Sequence, residues 1–161
     1  MKIRTLIGVI AVPIVAGTAL AGVAFGSDNH SGQRTVTFTE INHPDTDVDL
    51  DLGPTGLSLG DEQIFHATLQ QKGSDVGDVY GVGTVVQKSD SGLSSQVVST
   101  AVFPNGTFTL QVMFQMNFAD GPPATLRGAV TGGTGVYRGV TGQCVSTVIP
   151  NSENNTITCS F

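Results

Sequence analysis

Between Thr107 and Phe118 the chain alternates: Phe108, Leu110, Val112, Phe114, Met116 and Phe118 fall on one side, and Thr107, Thr109, Gln111, Gln115 and Asn117 on the other. A period of two sends successive side chains to opposite faces of a strand, so one face here meets a core and the other meets water. Met113 interrupts the polar side, which predicts that part of the outer surface is covered and that the chain forms a homo-oligomer. Weaker versions of the pattern run from 34 to 42, where Val36, Phe38, Glu40 and Asn42 share a face opposite Thr35, Thr37 and Thr39. From 63 to 71, Phe65, Ala67 and Leu69 oppose His66, Thr68 and Gln70. Further β-branched runs at 78–88, with Gly81 and Gly83 inside it, and at 95–103, 124–130, 143–149 and 156–161 bring the expected strands to eight.

Turn residues separate these runs: Gly53-Pro54-Thr55-Gly56, Lys72 to Gly77, Ser89-Asp90-Ser91-Gly92, Pro104-Asn105-Gly106 and Pro150 to Asn155. No helical period occurs after residue 26, which makes the expected fold class all-β. A sheet of short-turned strands must deal with its own edges, and closure removes them. The expected architecture is therefore an eight-stranded antiparallel β-barrel with a central hydrophobic cavity, a size that holds side chains and one small apolar ligand.

Thr131 to Gln143 concentrates five of the 21 glycines in thirteen positions. Glycine serves where the backbone kinks or another backbone approaches closely, so this stretch predicts a tight corner and a kinked strand start. Its Gly133-Thr134-Gly135 resembles the beginning of a dinucleotide fingerprint, but that device needs a helix directly behind it and a strand follows instead.

Charge narrows the partners. The net charge is −6 with seven Lys and Arg, two of them in the first four residues, so no basic surface is available for nucleic acid. Those two, Lys2 and Arg4, precede an apolar run from Leu6 to Val15 and small-residue cleavage patterns at Ala19-Leu20-Ala21 and Ala24-Phe25-Gly26. This reads as a signal peptide over 1–26, a flexible lead-in over 27–33 and the barrel over 34–161, with the mature chain secreted and not inserted in a membrane. A membrane anchor is the other reading, since Leu6 to Gly26 is long enough to span. In an oxidising compartment two cysteines pair by default. Cys144 and Cys159 lie equally far from the Asn151/Ser152 midpoint of the last turn, so a symmetric hairpin sets them opposite each other as a disulfide.

Four carboxylates, Asp45, Asp47, Asp49 and Asp51, stand at every second position. Without the central Gly and terminal Glu of a calcium loop they read as a solvated acidic loop or edge strand. The three His residues are scattered and no C-x-x-C occurs, so no metal and no cofactor are expected. His66 is expected to face outward as a solvated surface residue. Glu40 shares the face of Val36 and Phe38, and a carboxylate there must be paired, protonated or used, unless it sits in water at the barrel rim.

These residues, taken in order, carry a family resemblance. Thr39-Glu40-Ile41-Asn42, Ser58-Leu59-Gly60-Asp61 with Phe65 and Leu69, Val76-Gly77, and the run from Thr131 to Gln143 resemble the allene oxide cyclase family, and the last motif also resembles the related dirigent proteins. The resemblance implies an eight-stranded barrel with a hydrophobic cavity, commonly in trimers. It implies Glu40 and Asn42 as catalytic residues, Glu40 steadying charge on the substrate and Asn42 holding a water or an epoxide oxygen. It also implies a ligand cavity that includes Phe38, Phe65, Ala67 and Gly83. At Ala67 and Gly83 the family carries an asparagine and a cysteine. The expected function is a secreted barrel that binds a small hydrophobic molecule and directs its stereoselective cyclisation or isomerisation without a cofactor. The alternatives are a non-catalytic dirigent-like or carrier barrel, and a structural secreted protein with a filled barrel.

Overall fold

The computed structural model describes residues 34–161, so the expected signal peptide and lead-in lie outside the described residues. Its strands are β1 (Thr35–Asn42), β2 (Val48–Leu50), β3 (Glu62–Gln71), β4 (Ser74–Lys88), β5 (Gly92–Phe103), β6 (Gly106–Asn117), β7 (Thr125–Gly133), β8 (Gly142–Val148) and β9 (Asn155–Ser160), with a single 3₁₀ turn at Gly135–Tyr137. Neighbours pair antiparallel throughout. β1 pairs with β9 on one side and with β3 on the other, which closes the sheet into an eight-stranded barrel. The short β2 lies outside that count, laid against the start of β3 through Val48 to Ile64 and Leu50 to Glu62. The acidic segment is thus an edge strand with its approach loop.

Where the turns fall differs from the expectation at two places. The turn expected over 72–77 shrinks to Lys72-Gly73, both with positive φ (53° and 77°), and β4 starts at Ser74. A left-handed pair makes the tightest hairpin, and a register shift at Leu69/Gln70 absorbs the extra residue. The glycine-rich stretch is more than a corner. β7 runs to Gly133, and the chain then folds a 3₁₀ turn across the barrel end before β8 begins. A Cβ on Gly133 would run into the carbonyl of Thr107 and the backbone of Tyr137, which is why only glycine lets this turn close down.

That turn delivers Tyr137 to the end of the barrel where β1 begins and β9 finishes. There Phe38, Phe103, Phe108, Tyr137 and Phe161 pack ring against ring, mostly tilted or edge to face, with centroids 5.2 to 5.6 Å apart for Phe108 and its three partners. Aromatic pairs at this separation add to their burial, and together they plug this end. A second cluster, Val85, Leu93, Phe114 and Met116, fills the far ends of the longest strands, β4 to β6. Over it lies the loop that follows β2, held by the Asp61 carboxylate, which accepts from the backbone N–H groups of Leu52 and Ser58 at 3.0 and 2.6 Å and from the Ser58 hydroxyl at 3.0 Å. The closed end is packed solid. The other half, bordered by Phe114 of the second cluster, leaves a cavity in the lumen.

Cys144 and Cys159 stand directly opposite one another in the β8/β9 register and are disulfide-bonded across 15 residues. Constraint of a loop of this length removes unfolded-state freedom worth about 3 kcal/mol. Reduction is therefore expected to lower the unfolding free energy by that amount without changing the far-ultraviolet spectrum in native buffer. Chemical denaturation with and without reductant measures it.

Candidate functional site

The open half of the lumen holds a cavity of about 520 Å³. Val79, Leu110, Phe114 and Ile157 give it apolar walls. Such a volume and such walls are typical of sites that enclose a small organic molecule.

Glu40 enters this cavity from β1, only 8% exposed. β1 places it by the alternation that also turns Phe38 inward, but Glu40 stands two residues nearer the open end, where packing gives way to space. Asn155 is its register partner on β9, and the Asn155 amide donates to Glu40 Oε2 at 2.8 Å. Burial pushes the Glu40 pKa up from the ordinary 4.5, and the Asn155 hydrogen bond opposes that only in part. Loss of water disfavours the charge, so the carboxyl tends to its neutral form. With Asn155 donating to Oε2, Oε1 is left for whatever occupies the cavity.

Asn42 also lines the cavity, at the mouth. Its backbone N–H donates to Asn154 Oδ1 at 3.1 Å and its side-chain amide donates to the Glu153 carbonyl, so it fastens the β8/β9 turn against β1. Phe65 is on the wall, and a Cβ on Gly81 across the β3/β4 pair would overlap its ring, so that glycine makes room for the phenyl group. Gly83 pairs with Gln63 and Val97, both lining residues, and shares their inward face. Phe38 and Ala67 are instead part of the packed core at the closed end.

Sequence reasoning missed Asn155, because it fell within what reads as a turn. It also missed the mouth. Asp45, Asp47, Asp49 and Glu153 ring the entrance, and Asp47 Oδ1 and Gln63 Oε1 are buried without a hydrogen-bond partner. Burial raises the Asp47 pKa, against the pull of a hydrogen bond from the His66 backbone. His66 does face outward, as alternation requires, but it has partners: its ring stacks on Tyr80 at 4.7 Å, its Nε2 lies 3.2 Å from Asp78 Oδ1, and the His43 ring is 5.1 Å away.

A closed antiparallel barrel, plugged at one end by aromatic rings and hollow at the other around one buried carboxyl, defines a class of lumen-bearing barrels. Within it, the chain belongs to the family of the allene oxide cyclase barrel like domain, whose model matches residues 38–159. Among solved structures, a pyocyanin demethylase superposes with a TM-score of 0.64 at 21% identity, covering 78% of this chain and 98% of that one. A nonspecific heme-binding cyclase that catalyses a [4 + 2] cycloaddition during neoabyssomicin biosynthesis superposes with a TM-score of 0.57 at 17% identity, over 83% of this chain and 65% of that one. A pterocarpan synthase dirigent protein gives 0.54 at 17% identity, over 80% and 82%. At these identities the likeness is one of fold. No curated protein matches the chain in sequence.

Proposed function

We propose that the chain is an exported, cofactor-independent barrel that binds a small hydrophobic molecule in the open half of its lumen and directs its stereoselective cyclisation or isomerisation. The observation that carries this reading is Glu40: a buried carboxyl, held from one side by Asn155, facing an apolar cavity of about 520 Å³. A neutral acid in such a place donates a hydrogen bond to a substrate oxygen on which negative charge develops, and in a water-poor site that bond is stronger than in solution. The walls supply the second contribution. By accepting one folded conformer of a flexible substrate they convert a rare arrangement into the bound one and set which face reacts. Asn42 holds the mouth in shape and keeps its amide oxygen for a polar group of the ligand. The disulfide fits an oxidising compartment, in line with export.

The test is native mass spectrometry of the mature protein taken from its own culture medium, with identification of any small molecule that travels with it. Conversion of that molecule, or of its acyclic precursor, to a single stereoisomer supports the proposal; retention without conversion refutes catalysis. The second result would favour a carrier or dirigent-like barrel, a reading supported by Ala67 and Gly83, which bring no oxygen or sulfur to positions where the family has them.

The outer face of β3 to β6 carries Ile64, Tyr80, Val98 and Met113, exposed by 42 to 58%. A patch of this kind on a sheet is a surface for association, and we assign it to a homo-oligomer, a trimer by family resemblance. Val98→Lys is expected to shift the mass in sedimentation equilibrium to that of a single chain; an unchanged mass would place the contact elsewhere.

A further inference from the structure

The cavity's charge points to the class of its ligand. Five carboxyl residues line it, Glu40, Asp45, Asp47, Asp49 and Glu153, and no Lys, Arg or His does. Arg127 is on β7 beside the cavity, but Leu126 and Gly128 on either side of it are the lining residues, so alternation turns the guanidinium out of the barrel. His43 and His66 belong to the outer ring stack with Tyr80 and act on Asp47 from outside the cavity, not from its lining. The mouth is therefore one-signed, set over low-dielectric walls that focus its field.

Two buried acceptors need donors. Asp47 Oδ1 and Gln63 Oε1 have no partner, and both line the cavity. They come from adjacent segments: Gln63 pairs with Asp49 on β2, two residues from Asp47. Glu40, deeper in the lumen and held by Asn155, is the hydrogen-bond donor already described and is not one of them. Asp47 and Gln63 each offer an oxygen, and a bound molecule that these side chains turn to meet must bring N–H, O–H or positive charge. A carboxylate-bearing lipid brings the opposite.

We propose that the cavity selects a molecule with an apolar, ring-sized body and a cationic nitrogen, seated with the nitrogen at the acidic mouth between Asp47, Gln63 and Glu153 and the body against Val79, Leu110 and Phe114. This rests on the reading of the open half as a ligand cavity. It assigns the mouth the task of discrimination: neutral analogues bind less well and anionic ones are repelled.

The experiment compares three probes of one shape, 1-naphthylmethylammonium, 1-naphthylmethanol and 1-naphthylacetate, by isothermal titration calorimetry on the mature chain at pH 7 and two salt concentrations. The ammonium is expected to bind about tenfold more tightly than the alcohol at low salt, and the acetate more weakly than either. The ammonium's advantage should narrow as salt rises. Asp47→Asn combined with Glu153→Gln should abolish that advantage, bringing the ammonium to the affinity of the alcohol, whereas Asp75→Asn with Asp90→Asn, both exposed and outside the cavity, should keep it. The salt series on the unaltered protein reads the same property should the mouth variant not fold. If the alcohol binds and the ammonium is no tighter, or is tighter but indifferent to the mouth substitutions, the charge selection is overturned while the cavity reading stands. If none of the three binds, both fall.

Discussion

Glu40→Gln should lower turnover of the co-purifying substrate by about 10² to 10⁴, the range a positioned acid contributes, while leaving the fold and the affinity for that molecule nearly unchanged. Glutamine keeps the shape and still offers Asn155 an oxygen to donate to, so the Glu40 to Asn155 link across β1 and β9 is retained. What it removes is the acidic proton. Steady-state kinetics separate the outcomes: a fall in kcat with constant KM assigns Glu40 to the reaction, and a fall in affinity alone would make it a binding group. The same variant has a signature in stability. Burial holds the Glu40 pKa above the 4.5 at which the unfolded chain titrates. Between those two values the native state keeps a proton that the unfolded state has lost, so stability falls as pH rises through that window and the whole loss is present above it. The loss amounts to about 1.4 kcal/mol for each unit by which burial raises the pKa. Glu40→Gln should accordingly gain on the parent chain at pH 8 and not at pH 4. Parallel denaturant titrations at the two values test the sign, and equal differences at both would show that Glu40 is not perturbed.

Phe108→Ala should destabilise the barrel by about 3 to 5 kcal/mol. Phe108 is 1% exposed and touches the rings of Phe103, Tyr137 and Phe161, so its removal opens a void in the middle of the plug. The surrounding strands are hydrogen-bonded on both sides and cannot collapse far into the gap. A loss of this size approaches the whole stability of many single domains, and the variant is expected to unfold near physiological temperature. Phe108→Leu refills part of the space and should recover more than half of the loss. A loss of unfolding free energy under 1 kcal/mol for the alanine variant would mean that the aromatic plug is not the anchor of the closed end.

Glu40 and Phe108 stand in opposite halves of one lumen. Because the aromatic plug carries the packing, the open half is free to hold groups that do not help folding: a carboxyl driven from its ordinary pKa, two unpaired acceptors and a ring of like charges. Strain of this kind survives in sites only where the rest of the structure supports it.

Much of this was legible in the chain. Alternation identified the barrel strands and the inward face of β1, and with it Glu40, because a period of two is imposed by the backbone whatever the neighbours are. The disulfide followed from two cysteines placed symmetrically about a turn, a local matter of hairpin register. Alternation names a face, however, and says nothing of height along the barrel. Phe38 and Ala67 have the right parity for the lumen and lie in the packed end, whereas Glu40 and Phe65 reach the cavity. Parity was also silent about partners. Asn155 meets Glu40 across 115 residues through the β1/β9 closure, and Asp47 reaches the mouth only because β2 docks on β3. His66 gained Tyr80 and Asp78 from β4 and His43 from the loop after β1. The glycine run announced an irregular backbone, yet its purpose, carrying Tyr137 across the barrel end, depends on where β6 and the C-terminus finish. The sequence by itself determined the strands, their inward faces and the bridge of the last hairpin, since these follow from local periodicity. Only the tertiary structure decided which end is plugged, which is hollow and which oxygens meet there, since those follow from closure between segments far apart in the chain.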